Sequence, residues 1–128
     1  MGTRAIVDIY GEGEGEEDVV LCTLYRQFDG YPEGGLGDEL VDFIKTKKVV
    51  NGHSHGSNEA NGMGCLAAQL IGHLKNGVGN LYLFPPNTKD VWEEFRYRVR
   101  LHPGTGVVTV DCSEVDGDGN PEEWRSLY

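Results

Sequence analysis

Cysteine, cationic side chains and long apolar runs are all scarce in this sequence of 128 residues. Its three cysteines, Cys22, Cys65 and Cys112, form no C-x-x-C pair and are odd in number, which predicts free thiols rather than a disulfide scaffold. No apolar run approaches the roughly 18 residues of a membrane span, and no apolar stretch of a signal peptide follows the first residues. We therefore expect a cytoplasmic protein that does not associate with a membrane.

Acidic residues outnumber basic residues in this chain. The chain has 11 Lys and Arg against 21 Asp and Glu, which gives a formal net charge of -10. A field of this sign repels phosphate backbones, so direct binding of nucleic acid is not expected. The same charge keeps a small protein soluble, and it can also face a basic partner.

Hydrophobic periodicity predicts an α+β fold in a single domain over residues 1–128. A helix is predicted over 37–48, and a second begins at about Asn61 and ends at Gly77. The order β-β-α-α-β-β-β predicts a mainly antiparallel sheet with two helices on one face. Residues 49–60 are predicted to be a loop, and residues 113–128 a loosely packed C-terminal tail with a short helix. The predicted strands are 3–10, 19–28, 81–84, 95–101 and 107–112.

Two of these elements have a second patterned face. In the second helix, Gly64, Ala68 and Gly72 recur at a spacing of four, which predicts close packing against a neighbouring element. In the strand 95–101, Arg96, Arg98 and Arg100 alternate with apolar residues, which predicts one buried face and one solvated face that crosses acidic neighbours.

The segment Tyr25–Pro32 is the first candidate site. It places a cation, a carboxylate and aromatic side chains at the end of a strand. Arg26 lies on the same side of that strand as Leu24, so its guanidinium approaches the core and needs a partner. Asp29, a turn carbonyl or a ligand could each supply that partner.

The start of the second helix is the other candidate site. Asn61, Gly62, Met63 and Gly64 precede Cys65, and free backbone N–H groups at a helix start can bind an anion. The alternative is that these glycines permit a tight entry into the helix. Cys65 lies where the helix dipole favours a thiolate, but His73 is about 12 Å further along the axis and cannot be its base, so a buried structural cysteine is the favoured interpretation.

No catalytic set, metal site or cofactor is predicted. His53 and His55 stand two residues apart, and Glu59, His73 or Asp38 would have to complete a zinc site without any recognised ligand spacing. Histidines in a loop rich in glycine and serine are usually solvated.

Three segments, Met1–Arg4, Tyr25–Pro32 and Asn61–Gln69, resemble motifs of a family of small uncharacterised proteins of bacteriophages, bacteria and large DNA viruses. The likeness covers about residues 1 to 110, and the loop from His53 to Glu59 lies outside the shared pattern. It implies an origin rather than an activity. The residues that it emphasises are Arg4, Arg26, Asp29, Gly30, Tyr31, Pro32, Asn61, Gly62, Met63, Gly64 and Cys65.

The sequence therefore favours a non-catalytic binding protein in which the turn Tyr25–Pro32 and the helix start Asn61–Cys65 form one pocket or partner surface. The expected partner is a small anionic ligand or a host protein, in the host cytoplasm if the chain is viral. Two alternatives stay open. One is a small enzyme that uses Cys65 or the pair Arg26 and Asp29, and the other is an acidic decoy that inhibits a nucleic-acid enzyme through residues 12–18 and 114–123.

Overall fold

The computed structural model describes residues 2–11, 19–50, 52, 56, 58–102 and 105–128. Within them lie the helices α1 (Leu36–Ile44) and α2 (Gly62–Leu74). The strands are β1 (Ala5–Tyr10), β2 (Val20–Arg26), β3 (Lys48–Val50), β4 (Glu59–Asn61), β5 (Leu81–Phe84), β6 (Phe95–Leu101), β7 (Val108–Glu114) and β8 (Arg125–Ser126).

The main sheet has six strands in the order β5-β2-β1-β6-β7-β8. β1 pairs antiparallel with β2 and parallel with β6, and the remaining neighbours are antiparallel. All residues from Ala5 to Ile9 are buried, because β1 lies inside the sheet and other parts of the chain cover both of its faces. The expected α+β class with a mainly antiparallel sheet is confirmed.

Both helices contribute apolar side chains to one core that they share with the main sheet, but β3 and β4 separate them in the chain, where the expected order placed the two helices in succession. Their apolar side chains recur every three or four residues, so each helix presents one apolar side to the strands. Burial of this apolar surface is the main favourable contribution to folding. The shared core includes Val7, Leu24, Leu36, Leu40, Ile44, Met63, Leu66, Leu70, Tyr97, Val99 and Val110.

The stripe of small residues on α2 faces outward. Gly64, Ala68 and Gly72 are all exposed, and a Cβ added at Gly64 or Gly72 would meet no atom within 4 Å. The close packing predicted for this stripe is therefore wrong. Periodicity shows that a helix has two distinct sides, but it does not show which of them a neighbour covers.

A second, two-stranded sheet joins β3 and β4, which pair in parallel with Val49 opposite Ala60. The sequence predicted a loop across this region. Each strand has three residues, too few to display an alternating pattern, and their pairing depends on a partner about ten residues away.

The second face of the main sheet is covered at Arg96, which is 8% exposed. Its Nε lies 2.9 Å from Asp8 Oδ2, and its Nη1 lies 3.2 Å from Glu93 Oε2. Its Nη2 also donates to the carbonyl of Thr88 at 2.9 Å. These bonds hold the segment between β5 and β6 against the sheet, so the solvated arginine face predicted from the sequence is wrong at this position.

Further along the same face, Arg98 and Arg100 share one carboxylate oxygen of Asp111, each at 2.9 Å. The ring of Trp124 lies 4.1 Å from the guanidinium carbon of Arg98. The predicted acidic neighbours are thus confirmed, but the chain that follows β7 folds over them. It returns to the sheet as β8, where a short helix was expected.

The two outer strands of the main sheet are β5 and β8. Lys75 Nζ donates to the carbonyls of Gly79 and Leu81 at 2.9 and 3.0 Å, which occupies main-chain acceptors at the start of β5. β8 has two residues. Both features limit the unpaired backbone that an outer strand presents.

Candidate functional site

The turn that follows β2 caps the start of α1. The carbonyls of Asp29, Tyr31 and Pro32 accept hydrogen bonds from the N–H groups of Leu36, Gly37 and Asp38 at 2.8, 3.3 and 3.0 Å. The first N–H groups of a helix otherwise lack partners inside the helix. Because the turn takes up these three donors, they are not available to a bound anion.

Arg26 is 7% exposed and is held by the same turn. Its Nε donates to the carbonyl of Phe28 at 2.9 Å, and its Nη2 lies 2.8 Å from Glu39 Oε2. The prediction of a core-facing arginine with a turn carbonyl as partner is confirmed. Its carboxylate partner is Glu39 of α1, whereas Asp29 Oδ1 accepts a bond of 3.3 Å from the hydroxyl of Tyr31.

The N-terminal segment and Tyr97 fix the middle of the turn. Gly30 N donates to the carbonyl of Thr3 at 2.9 Å, and the hydroxyl of Tyr97 donates to the carbonyl of Gly30 at 2.6 Å. A Cβ at Gly30 would lie 2.7 Å from the Cβ of Ala5, so glycine is needed for this approach. Burial raises the pKa of Tyr97 far above its ordinary value, which keeps this donor protonated.

These contacts define one end of the main sheet, which we call the turn end. There β1 begins and β2 ends, with Ala5 opposite both Arg26 and Phe95. The carbonyl of Arg4 accepts a bond of 2.8 Å from Glu94 N at the same end. The structure thus brings together four of the predicted site residues: Arg4, Arg26, Asp29 and Tyr31.

The start of α2 lies at the opposite end of the sheet, which we call the far end. β3 reaches the far end because Val49 N donates to the carbonyl of Gly106, in the connection between β6 and β7, at 3.2 Å. β4 pairs with β3, and α2 follows β4 directly. Lys75, just after α2, contacts Leu81, which is the partner of Arg26. α2 therefore runs from the far end to the turn end.

The two segments predicted to form one pocket are consequently separated by about the 20 Å length of a helix of this size. At the start of α2, Asn61 Oδ1 accepts a bond of 3.1 Å from Gly52 N. Met63 is buried, and Cys65 is half-buried against the core. Gly62 has a φ of 80°, which glycine adopts freely, so it serves the tight entry into the helix.

A shallow cavity of about 260 Å³ adjoins the turn end between α1 and β8. Pro32, Glu33 and Asp38 line it, and Arg125 lies on its other side. Its volume is below that of ordinary small-molecule sites, about 300 Å³ or more. Its lining includes two acidic residues and one arginine, and this net negative charge makes it a poor site for an anion.

Metal and thiol chemistry depend on the histidines and cysteines of the chain. His53 and His55 lie outside them, and the described part of the chain holds no group of three or more metal-ligating side chains placed for a metal ion. Burial raises the pKa of the thiols of Cys22 and Cys112, so both favour the protonated form, which is the weaker nucleophile.

The structure exposes several large apolar side chains, of which Tyr31 is one of the predicted site residues. They include Phe28 at 46% and Tyr31 at 37% in the turn, and Trp92 at 83% between β5 and β6. Phe28 and Tyr31 are the aromatic side chains of the first candidate site predicted from the sequence. No local pattern distinguishes Trp92 from a buried tryptophan.

The geometry defines an α+β fold with an exposed, hydrogen-bonded turn at one end of its main sheet. Comparisons of the chain with protein-family models, with curated proteins and with solved structures gave no match. Among the described residues, neither helix is long and apolar enough to cross a membrane.

Proposed function

We propose that this protein is a non-catalytic binding protein that contacts a partner protein at the turn end through Phe28 and Tyr31. Exposed aromatic side chains on a fixed backbone carry this proposal. Phe28 N donates to Asn80 Oδ1 at 2.8 Å, and the carbonyl of Tyr31 is tied to α1. Large side chains held in this way lose little conformational freedom on binding, and aromatic residues are enriched among those that dominate protein interfaces.

The other predicted residues of the turn end support this surface from behind. Arg26 bridges Phe28 and Glu39, so it fixes the turn against α1. Asp29 adopts a φ of 58°, which lets the chain reverse between the two aromatic residues. Arg4 joins the turn end to the segment before β6 through its carbonyl. We assign these residues to positioning the backbone.

A partner protein fits this end better than a small anion does. The N–H groups at the start of α1 already have acceptors, and two nitrogens of Arg26 are bound within the protein. The cavity between α1 and β8 is small and is lined by two acidic residues, and a larger cavity of about 430 Å³ beside Phe95 is lined by three, Glu114, Glu122 and Glu123. We place the interaction in the cytoplasm of a bacterium or of a viral host, because the motifs resemble those of small phage and bacterial proteins.

The test is capture of a partner from a bacterial lysate by the immobilised protein and by matched variants. The double variant Phe28→Ser with Tyr31→Ser removes both aromatic side chains from the turn end. Val107→Ser is the control, because Val107 is similarly exposed, at 50%, and follows Gly106 at the far end. Melting curves of all variants confirm that the fold is kept.

We expect the parent and Val107→Ser to retain the same protein, identified by mass spectrometry, and the double variant to lose it. Cys65→Ser is a second control at the far end and should also retain it. A protein that is captured equally by all variants would contradict the proposal, as would one lost with Cys65→Ser alone.

A further inference from the structure

Trp92 is unusual in both its exposure and its backbone. Its side chain is 83% exposed, and its φ is 70°. Tryptophan is highly buried in most folded proteins. A positive φ is uncommon outside glycine, and for a bulky side chain it is a genuine outlier that the surrounding structure must enforce.

The neighbours of Trp92 enforce this conformation. Val91 N donates to Glu93 Oε1 at 2.9 Å, and the other oxygen of Glu93 is bound by Arg96. Glu94 N donates to the carbonyl of Arg4 at 2.8 Å. The chain is thus fixed on both sides of Trp92, and the indole projects from a rigid base.

Neither the exposed side chain nor the positive φ of Trp92 stabilises the isolated molecule. The left-handed backbone is unfavourable for a residue with a Cβ, and an indole in water contributes no burial. Both are explained if apolar side chains of a partner cover the indole. Residues held in strained backbone conformations cluster at binding and catalytic sites, and tryptophan is among the residues most enriched at the centres of interfaces.

Exposed carboxylates lie near Trp92 in the chain and on the segment that packs beside its neighbours. Asp90 and Glu94 are exposed on either side of it in the chain. The segment after β7 packs alongside, because Val115 N donates to the carbonyl of Glu94 at 3.1 Å and a Cβ at Gly119 would lie 3.1 Å from the Cα of Asp90. That segment adds the exposed carboxylates of Asp116 and Asp118, whereas Lys89 is the exposed cation next to Asp90.

We propose that Trp92 anchors a docking surface for a basic protein segment, in which apolar side chains of the segment cover the indole and Lys or Arg side chains face Asp90, Glu94, Asp116 and Asp118. The surface adjoins the turn end through Arg4, and this inference rests on the proposed function. Charge complementarity selects a basic partner and speeds association, while the indole provides most of the affinity.

The probe is a display library of random short peptides, panned against the parent protein at low salt. Enriched peptides are synthesised and titrated against the parent, Trp92→Gly, and the double variant Asp90→Asn with Asp118→Asn. A Trp124→Phe background leaves Trp92 as the fluorescent reporter, and the ring over Arg98 is kept. Trp92→Gly suits the test because glycine accepts the positive φ.

We expect enriched peptides to combine Lys or Arg with an apolar residue, and binding to shift Trp92 emission to shorter wavelength. Trp92→Gly should weaken binding by about tenfold or more while its melting temperature equals or exceeds that of the parent. The double variant should weaken binding several-fold, and the difference should shrink between about 50 and 500 mM salt.

Enrichment without cationic residues would overturn this inference, and so would peptides that bind Trp92→Gly as tightly as the parent. The proposed function is scored separately with the double variant of Phe28 and Tyr31. Peptides that need Phe28 and Tyr31 but not Trp92 retain the proposed function and remove this inference. Peptides that need Trp92 but not Phe28 and Tyr31 support this inference and count against the proposed function.

Discussion

Single residues with positive φ mark the places where this fold reverses sharply. Asp29, Asn80, Asn87 and Asp90 adopt this conformation, as does Trp92. Asn and Asp tolerate it because their short polar side chains make local hydrogen bonds. Asn80 combines this backbone conformation with contacts to a distant segment, since its carbonyl accepts from Gln27 N at 2.9 Å and its side chain accepts from Phe28 N. It thereby fixes the position of Phe28 at the turn end.

Asn80→Ala should reduce the free energy of unfolding by about 1 to 2 kcal/mol, because alanine disfavours the left-handed backbone and leaves Phe28 N without its acceptor. Asn80→Gly is the matched variant, since it loses the same acceptor but accepts the backbone. Urea denaturation of both proteins separates the two contributions. Equal losses for alanine and glycine would show that backbone strain plays no part.

At the scale of elements, the segment between β5 and β6 depends on a buried group of three charges. Arg96 lies between Asp8 of β1 and Glu93 of the segment, and all three side chains are almost wholly buried. Thr23 adds a hydroxyl that donates to Asp8 Oδ1 at 2.8 Å. Removing one partner from such a group leaves a charge that is both buried and uncompensated, which is strongly unfavourable. The same group holds the base of Trp92.

Arg96→Met should therefore lower the free energy of unfolding by about 3 to 5 kcal/mol. Arg100→Met is the control on the same strand, because Arg100 is partly exposed and Asp111 keeps Arg98 as a partner. For this control we expect a loss of about 1 kcal/mol or less. Guanidinium denaturation measures both variants, and similar losses would contradict the assigned role of the buried group.

At the scale of the whole molecule, burial of hydroxyls and thiols sets how stability responds to alkali. Burial raises the pKa of Tyr10, Tyr97, Cys22 and Cys112 in the folded protein, and the charge of Asp8 adds to the effect at Tyr10 and Cys22. The unfolded chain releases these protons at lower pH than the folded protein does. The contribution of these four groups to the free energy of unfolding is therefore complete below their ordinary pKa values. It is lost as pH rises through those values and then through the raised values of the folded protein.

We expect the melting temperature to fall progressively above about pH 9, where cysteine and then tyrosine side chains of the unfolded chain ionise. Tyr97→Phe should be less stable than the parent at neutral pH, because the carbonyl of Gly30 loses its donor. The melting temperature of Tyr97→Phe should fall less steeply with pH than that of the parent, because the variant lacks the hydroxyl proton of Tyr97. Melting curves from pH 7 to about 11 test both statements, and parallel declines would reject the assignment to Tyr97.

The parts of the fold that the sequence predicts are those with a long regular pattern. β1, β2, β6 and α2 extend over 6 to 13 residues, so alternation or helical periodicity identifies them. β3, β4 and β8 have two or three residues and exist because distant segments pair with them. The outward stripe of α2 and the covered arginine face were misjudged because a pattern does not reveal what packs against it.

For the candidate site, the sequence predicts local contacts and misses distant ones. The core-facing position of Arg26 follows from its side of β2, whereas its carboxylate partner, Glu39, lies in a different element. The predicted pocket between the turn and the start of α2 is absent, because the two segments lie at opposite ends of the sheet. The order of elements in the chain does not specify at which end of the sheet a helix starts. Trp92 carried no signal, since exposure depends on what the rest of the chain leaves uncovered.

The protected outer strands affect the tendency of this protein to self-associate at high concentration. Fibre growth by strand addition begins at an open row of amides and carbonyls. The ammonium group of Lys75 closes part of that row on β5, and β8 is too short to template a neighbour. Concentrated solutions of the protein should therefore resist polymerisation. Chemical acetylation of Lys75 should increase polymerisation, because it removes the ammonium group that binds these carbonyls.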